Sequence, residues 1–353
     1  MTPNRPDLNT LPANVRAYIE FLEESLAEAE NAAESGRSSS TSTEPSEAPT
    51  TAQVITISRD GLVKRTPRHL YSRQRRGGMG VFDLDSGEDD PPAFLLVTDV
   101  SERLLIWSDR NRYFSLAVAD LPEGAVRDKG ETISRWVTLQ EDEHLAVVIP
   151  DGGGAHLQLL SDRGWVRKFS RTQLPHLKDG SLVEVRTGHR PVAACWSSGG
   201  DDLFVVSRTG QAIRFSERQV PISGGCLGIR LDPGDECLAV AAVQEESGVF
   251  LAGDDGKGTV RLMAGFRTNK SPGAGGKVAM KADRLLCAQT VAPGQDALII
   301  SALGKIIRFA VEDIPAKEGV VQGVNCMSLR ADRAVAATVT DGGVALEEGD
   351  SEQ

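Results

Sequence analysis

The chain has 353 residues, of which 40% are hydrophobic but only 5% aromatic, so aliphatic side chains must fill its core. It has neither a run of roughly 18 apolar residues nor an apolar signal sequence, which argues against a membrane or secreted protein and predicts a cytoplasmic one. The net charge of −11 is uneven: residues 1–52 carry −6, residues 341–353 carry −5, and residues 53–340 balance 36 basic against 36 acidic groups.

The N-terminal segment, residues 1–34, is predicted to form one helix over residues 11–33. Asn9 or Thr10 suits the N-cap, and Pro12 suits the first turn. One apolar seam follows from the helical spacing of Val15, Ile19, Leu22, Leu26, Ala29 and Ala33. A short coiled-coil dimer, a docking helix for another protein, and a helix packed on its own domain all fit this seam.

Two polar segments are predicted to be disordered. Residues 35–52, SGRSSSTSTEPSEAPTTA, contain no large apolar side chain, so they cannot bury enough surface to offset the entropy of ordering. They are interpreted as a flexible linker. Residues 341–353 form an acidic C-terminal tail.

From residue 53 onwards the sequence repeats a hairpin pattern in which two apolar runs flank a turn. The six copies are VITISRDGLVKR (54–65), RLLIWSDRNRYFSL (103–116), LQLLSDRGWVRKF (157–169), LFVVSRTGQAIRF (203–215), VFLAGDDGKGTVRL (249–262) and LIISALGKIIRF (298–309). Gly and Asn tolerate the positive φ of a tight hairpin turn best. The predicted turn residues are Gly61, Asn111, Gly164, Gly210, Gly258 and Gly304.

A proline recurs at a fixed distance from these turns. In four repeats it lies eleven residues after the turn and follows an apolar residue: Leu121-Pro122, Leu174-Pro175, Val220-Pro221 and Ile314-Pro315. Proline there ends a strand. Six repeats of 46–53 residues, each with several short strands, are typical of propeller blades. The predicted fold is therefore all-β, a six-bladed propeller over residues 53–340.

A glycine-rich basic segment lies in the first repeat, namely Gln74-Arg75-Arg76-Gly77-Gly78-Met79-Gly80. It resembles the box motif in the C-terminal domain of gyrase A proteins, where a Lys normally stands in place of Met79. Six of the seven positions match, the segment falls in the first repeat as in that family, and the number of repeats agrees. The resemblance covers residues 53–340.

This resemblance implies a six-bladed β-pinwheel whose outer rim binds and bends duplex DNA, with the box required for wrapping DNA. It assigns DNA binding to Gln74, Arg75, Arg76, Gly77, Gly78 and Gly80. Met79 departs from the family and removes one cation. Nothing in the chain resembles the breakage–reunion domain or its catalytic tyrosine, so the resemblance implies a freestanding relative related to topoisomerases of the gyrase and topoisomerase IV type.

The charge around this segment also favours phosphate binding. Residues 59–76 contain one acidic residue, Asp60, and seven basic ones, namely Arg59, Lys64, Arg65, Arg68, Arg73, Arg75 and Arg76. Clustered cations bind phosphates in a salt-dependent way, and bare glycine N–H groups permit a close approach to phosphate.

A basic residue also recurs four positions after the predicted turn. These residues are Arg65, Lys168, Arg214 and Arg308, with Arg261 one place earlier in the fifth repeat. Because equivalent positions in successive blades lie around one rim, we predict a broken ring of DNA-binding cations. The alternative is a set of strand-end cations that pair with neighbouring carboxylates.

No catalytic residue, cofactor or metal site is predicted. The five cysteines have no metal-binding spacing and are predicted to be reduced, buried thiols. The run GAGGKV (273–278) has Ser271 and Val278 where a phosphate loop needs Gly and Ser or Thr, so it is interpreted as a loop of the propeller.

Two functions remain open on the sequence. The first is a non-enzymatic module that binds and bends double-stranded DNA, as an accessory to a type II topoisomerase or as a nucleoid protein. The second is a protein-interaction propeller that has lost DNA wrapping, as the neutral propeller and Met79 suggest. An enzyme with a site in the propeller channel has no residue constellation to support it.

Overall fold

A computed structural model describes residues 8–13, 15–16, 18–20, 22–23 and 47–342. In these residues, 25 strands account for nearly all of the regular structure. In chain order they are β1 (Ala52–Ser58), β2 (Leu62–Pro67), β3 (Val81–Phe82), β4 (Pro92–Asp99), β5 (Arg103–Ser108), β6 (Arg112–Ala117), β7 (Glu131–Thr132), β8 (Leu145–Pro150), β9 (His156–Ser161), β10 (Trp165–Ser170), β11 (Ser181–Leu182), β12 (Pro191–Ser197), β13 (Asp202–Ser207), β14 (Gln211–Ser216), β15 (Cys226–Leu227), β16 (Cys237–Val243), β17 (Gly248–Gly253), β18 (Lys257–Leu262), β19 (Lys277–Val278), β20 (Leu285–Val291), β21 (Gln295–Ser301), β22 (Lys305–Ala310), β23 (Ala316–Lys317), β24 (Val324–Asn325) and β25 (Ala334–Asp341).

The strands form six sheets, which are the blades of the predicted propeller. Each blade has an inner strand, a central hairpin and a short outer strand that comes from the following repeat. The strand orders are β4-β1-β2-β7, β8-β5-β6-β11, β12-β9-β10-β15, β16-β13-β14-β19, β20-β17-β18-β23 with β24 also on β18, and β25-β21-β22-β3. Because the sixth blade takes its outer strand, β3, from the first repeat, this exchange closes the ring.

The core consists of six apolar clusters, one at each junction between neighbouring blades. Side chains alternate between the two faces of a strand, so one hairpin strand can contribute to two clusters. In β5, Leu104 and Ile106 pack toward the first blade, whereas Leu105 and Trp107 pack toward the third. This burial on both faces explains why the hairpin strands have continuous apolar runs rather than an alternating pattern.

The hairpin turns confirm five of the six predicted turn residues. Gly61, Asn111, Gly164, Gly210 and Gly304 all have positive φ, between 60° and 96°. The prediction of Gly258 is wrong, because Gly256 occupies the turn with a φ of 76° and Gly258 lies inside β18, paired with Ala252. The segment DGKG (255–258) offers two glycines two positions apart, and the strand register selects Gly256.

A 3₁₀ turn follows the hairpin in every repeat. The six turns are Arg68–Leu70, Val118–Asp120, Arg171–His176, Glu217–Gln219, Met263–Gly265 and Val311–Asp313. Further 3₁₀ turns are Leu8–Thr10 and Ile133–Arg135. Ten residues after each turn glycine or asparagine, a side chain is buried to 5% exposure or less: Tyr71, Leu121, Leu174, Val220, Phe266 and Ile314. This position anchors the chain where it leaves the hairpin.

Four of the recurring basic residues connect one blade to the next, and they do not line the rim. Each donates a hydrogen bond to main-chain carbonyls in or just after the 3₁₀ turn of the following repeat. The bonds are Arg65 Nε to Leu121 (2.9 Å), Lys168 Nζ to Glu217 (3.2 Å), Arg214 Nη1 to Met263 and Phe266 (3.0 and 3.2 Å), and Arg308 Nη1 to Arg68 and Tyr71 (3.3 and 3.1 Å). We call these four residues the inter-blade cations.

Burial of the inter-blade cations corrects the predicted ring. Lys168, Arg214 and Arg308 are 8%, 3% and 2% exposed. Counted from Gly256, the turn residue of its hairpin, Arg261 is five positions along the chain, whereas each inter-blade cation is four positions after its turn. Because side chains alternate along a strand, Arg261 points to the opposite face. It is 4% exposed and donates to the carbonyl of Gly265 in its own repeat.

We expect Arg214→Ala to lower the free energy of unfolding by about 3–5 kcal/mol, because it leaves a carboxylate and two buried carbonyls without their partner. Arg214 Nε lies 2.8 Å from Asp202 Oδ2, and its Nη1 serves two buried carbonyls. Urea unfolding measures the change. Arg218→Ala, at an exposed position in the same repeat, is the matched control and should change stability by less than about 0.5 kcal/mol. Equal losses in the two variants would contradict the inter-blade role.

Glu47 completes the junction between the sixth and first blades. Its carboxylate lies 3.1 Å from Arg68 Nε and 2.5 Å from Arg308 Nη2, and Glu47 is 3% exposed. Burial alone would raise the pKa of Glu47, but hydrogen bonds and charges from Arg308 and Arg68 outweigh it and lower the pKa. The prediction that residues 35–52 are a flexible linker is therefore wrong for residues 47–52. Residues 35–46 and the tail after 342 lie outside the described residues.

When folding lowers the pKa of a carboxyl group, that group stabilises the folded protein at every pH above its unfolded pKa, which for Glu is about 4.3. The stabilisation is lost as the pH falls through the folded pKa. We therefore expect Glu47→Gln to be less stable than the wild type at pH 7, with the difference shrinking between pH 5 and the acid limit. Urea midpoints across pH measure this. Glu245→Gln is the control. The Glu245 carboxylate also pairs with an inter-blade cation, Arg214, but it is 63% exposed, so its loss should lower the stability at pH 7 by less. A pH-independent difference for Glu47→Gln would contradict the ion pair.

Residues 13–23 are helical wherever the structure describes them. Tyr18 contacts the pinwheel: its ring lies 6.0 Å from Phe82, and the Arg127 guanidinium lies 5.6 Å from Tyr18 and 5.7 Å from Phe82. Tyr18 is 39% exposed, the seam residues Val15 and Leu22 are 41% and 47% exposed, and Ile19 of the seam is half-buried. Of the three alternatives for this helix, packing on its own domain thus holds for Tyr18, while the seam is only partly buried. Leu26, Ala29 and Ala33 lie outside the described residues.

Candidate nucleic-acid interface

The box segment, Gln74–Gly80, crosses from the first blade to the sixth. At its start, the Gln74 N–H donates to the carbonyl of Arg308 (2.7 Å). At its end, the chain enters β3, where Val81 and Phe82 pair with Ile306 and Lys305 of β22. The box is therefore the connection that closes the ring.

Gly80 has a structural reason, a close approach to main chain, that recurs at Gly130, Gly225 and Gly323. A Cβ at Gly80 would lie 2.3 Å from the carbonyl oxygen of Ile306, and its φ is 76°. A glycine directly precedes an outer strand in each case: Gly80, Gly130, Gly180, Gly225, Gly276 and Gly323. The chain must pass close to the neighbouring hairpin to pair with it. The regular spacing of these glycines is a sequence signal for the outer strands that had not been predicted.

The other two glycines of the box contact the fifth blade. Gly77 N–H donates to the Cys326 carbonyl (2.9 Å), and the Ser328 N–H donates to Gly78 (2.9 Å). The Gly78 N–H donates to the Arg75 carbonyl (3.3 Å). These N–H groups are already used, which corrects the expectation that the glycines offer bare N–H groups to phosphate. They hold the box against the outer segment of the fifth blade instead.

The arginines of the box differ in what they can reach. Arg75 is exposed and makes no ion pair with the residues that the structure describes. Arg76 is half-buried, and its guanidinium donates to the carbonyls of Asp313 (3.0 Å) and Asn325 (2.5 Å). Arg73 is 44% exposed beside Asp296, at 2.8 Å. Arg75 is thus the box cation most accessible to a phosphate.

Gln74 is half-buried, and Met79 is 8% exposed. The position that departs from the family pattern is therefore inside the protein in this chain. A thioether is suited to that position, because it fills irregular apolar space without a charge to desolvate.

The other predicted cations around the box are divided between surface and interior. Arg59 is exposed in the first hairpin turn and pairs with Asp60 at 3.0 Å. Lys64 is 1% exposed, with its Nζ 2.7 Å from Asp83. Arg65 pairs with Glu123 at 2.7 Å, and Arg68 is 7% exposed against Glu47. Lys64 and Arg68 are too deeply buried to contact DNA.

Sequence reasoning missed a second exposed basic segment. Residues 267–281 contain four basic side chains and no acidic one, and all four are exposed: Arg267, Lys270, Lys277 and Lys281. They line the connection that carries β19 at the outer edge of the fourth blade. The sequence signal for this segment is a run of basic residues without an acidic one. It was overlooked because residues 273–278 were considered only for their partial likeness to a phosphate loop.

The described residues contain no group of three or more His, Cys, Asp and Glu side chains that could hold a metal ion. None of the helical residues described forms a segment long and apolar enough to cross a membrane. The cysteines are free thiols; Cys237, Cys287 and Cys326 are buried, and Cys195 and Cys226 are partly buried. Burial raises the pKa of Cys237, Cys287 and Cys326 to about 12, which leaves these thiols protonated at neutral pH.

Sequence comparison relates this pinwheel to one family. A family model described as the DNA gyrase C-terminal domain, β-propeller, matches residues 52–90, 201–244 and 295–317. The gyrase A protein of Ureaplasma parvum is 27% identical over 290 residues, covering 78% of this chain and 34% of its own length. The gyrase A protein of Mycobacterium tuberculosis is 28% identical over 290 residues, covering 78% and 35%. The chain thus spans about a third of the length of these relatives.

Solved structures show the same fold. A DNA gyrase A C-terminal domain superposes with a TM-score of 0.72 at 20% identity, covering 81% of this chain and 98% of that domain. The C-terminal domain of DNA topoisomerase IV gives a TM-score of 0.58 at 19% identity, covering 83% and 94%. Together with the box and the ring closure, these similarities show that the six-bladed pinwheel of this chain is a homologue of the DNA gyrase A C-terminal domain.

Proposed function

We propose that this protein binds and bends duplex DNA on the outer rim of its pinwheel, without a chemical step of its own. The observation that carries the proposal is the box: it lies at the ring closure and presents Arg75 to solvent, unpaired among the described residues. Arginine is suited to this role because its planar guanidinium binds phosphate oxygens in two-point contacts.

The rigidity of the box supports this role. Its main chain is bonded to the fifth and sixth blades, and Arg76 is fixed by two carbonyls. A cation whose main chain is already held in place loses less conformational entropy when it binds a phosphate, so more of the electrostatic attraction contributes to the affinity. Bending DNA costs of order 1–6 kcal/mol, which several such contacts must offset.

Burial of the inter-blade cations limits the rim that can serve DNA. Lys168, Arg214 and Arg308 are paired inside the protein, so contacts must come from exposed cations elsewhere on the edge. The charge balance of residues 53–340 is therefore no argument against DNA binding, since many of its cations and carboxylates neutralise one another internally.

We further propose that the protein acts in the cytoplasm, as an accessory to a type II topoisomerase or as a nucleoid protein, and that residues 11–33 contact the partner. The exposure of Leu22, at 47%, supports this contact, because Tyr18 contacts the pinwheel while this seam residue stays accessible.

The test is duplex binding by anisotropy across a salt series, with the full chain. We expect Arg75→Gln to weaken binding and to reduce the slope of log K against log salt by about 1, the contribution of one phosphate contact. Lys178→Gln, which removes an exposed cation from the connection to the edge of the second blade, is the control and should leave both quantities unchanged.

Wild-type protein that shows no salt-dependent binding would contradict the proposal. That result would favour the alternative, a pinwheel used for protein contacts. Binding that is unaffected by Arg75→Gln would remove the box from the interface while leaving a DNA-binding surface elsewhere.

A further inference from the structure

The second basic segment, residues 267–281, is built like the box. The Asn269 N–H donates to the carbonyl of the inter-blade cation Arg214 (2.6 Å), as the Gln74 N–H donates to the carbonyl of Arg308 (2.7 Å). Both segments have a glycine directly before an outer strand, Gly276 before β19 and Gly80 before β3. The two are equivalent connections, one serving the fourth blade and the other the sixth.

The side chains of this segment are available to a ligand. Arg267, Lys270, Lys277 and Lys281 are all exposed, and within the described chain none forms an ion pair or a side-chain hydrogen bond. Four unpaired cations in 15 residues, without an intervening carboxylate, form a local field that attracts polyanions. The spacing along an extended connection favours a ligand with repeated charges over a single small anion.

The outer segment of the fifth blade connects the two basic segments. On one side, the Gly77 N–H donates to the Cys326 carbonyl (2.9 Å). On the other, the Lys281 N–H donates to the Val321 carbonyl (2.9 Å). The edges of the fourth, fifth and sixth blades therefore form one continuous surface, with Lys317 of β23 and the neighbouring Glu318 both exposed between its two ends.

On the other side of the box lies an acidic loop, next to the exposed cations Arg127 and Lys129 of the first blade. Beyond β3 the chain continues into Asp85, Glu88, Asp89 and Asp90, of which the first three are exposed. The Asp85 N–H donates to the carbonyl of Asp128, at 3.0 Å, so this acidic loop lies against the outer connection of the first blade. A polyanion that contacts Arg75 meets this acidic loop in one direction and, beyond the fifth blade, the uninterrupted basic segment 267–281 in the other.

From this asymmetry we infer that residues 267–281 are a second phosphate-binding element, and that duplex DNA runs from the box across the fifth blade to the edge of the fourth. The inference rests on the proposed function and adds the path to it. The first and second blades lie outside this path.

The experiment compares two triple variants of the full chain that remove the same number of charges. One is Lys270→Gln, Lys277→Gln and Lys281→Gln. The matched control is Lys129→Gln, Arg135→Gln and Lys178→Gln, which removes three exposed cations from the connections to the edges of the first and second blades. All six positions are exposed, so both proteins should fold, and thermal unfolding checks this. The measurements are duplex anisotropy across salt and hydroxyl-radical footprinting.

We expect the 270/277/281 variant to reduce the salt slope by about 2–3 and to shorten the protected DNA at one end, with box contacts retained. The control should keep the wild-type slope and footprint. Equal effects of the two variants, or no effect of either, would overturn the inferred path while wild-type binding still supports the proposed function. Absence of salt-dependent binding in the wild type would overturn both.

Discussion

Ring closure without a covalent bond is the constraint on which this structure depends. An open ring of stacked blades would expose the apolar faces of its first and last blades and leave β22 without an outer strand, and exposed apolar faces invite aggregation. Here the pairing strand is β3, only two residues long, so the segments that flank it must hold it in place. Lys64 Nζ lies 2.7 Å from Asp83 Oδ1, and Thr56 Oγ1 donates to Asp83 Oδ2 at 2.7 Å. Tyr71 also donates to Asp83, and burial together with the charge of Asp83 raises the pKa of Tyr71.

The box precedes β3 directly, so it cannot move without opening the ring. The surface proposed to bind DNA is therefore held by the same contacts that close the ring.

The fold could be predicted because its determinants are local and repeat. A glycine or asparagine at positive φ, an apolar residue ten positions later and a proline are each visible in one repeat and confirmed by the others. Gly258 shows the limit of this reasoning. Gly256 and Gly258 both suit a turn, and only the pairing of β17 with β18 and β20 selects Gly256. Strand register depends on contacts between segments, which a single repeat does not reveal.

The inter-blade cations were recognised by their period but assigned the wrong direction. A repeat shows that a position matters in every blade, and it does not show whether the side chain faces solvent or the next blade. The deciding partners are distant in sequence: Arg308 and Glu47 are 261 positions apart, and Arg214 and Met263 are 49 apart. In a strand with one buried face, alternating polar and apolar residues show which side chains face solvent. The hairpin strands here are buried on both faces, so their sequences do not show in which direction these cations point. The glycines before the outer strands had a simpler signal, since each directly precedes a short strand.

Local charge accounts for how a pinwheel whose residues 53–340 carry no net charge would attract the DNA proposed to bind it. Ion pairs that hold the blades together, such as Arg214 with Asp202, cancel in the far field and contribute nothing to binding. What remains is the distribution of exposed groups, and it is uneven: residues 267–281 and the box are basic, whereas residues 85–90 are acidic. At physiological salt, charges more than about 8 Å apart are largely screened from each other. The acidic loop therefore weakens binding only near itself and leaves the attraction at the fourth and fifth blades nearly intact. A screened, uneven surface of this kind favours a short, directed DNA path over a uniform wrap around all six blades.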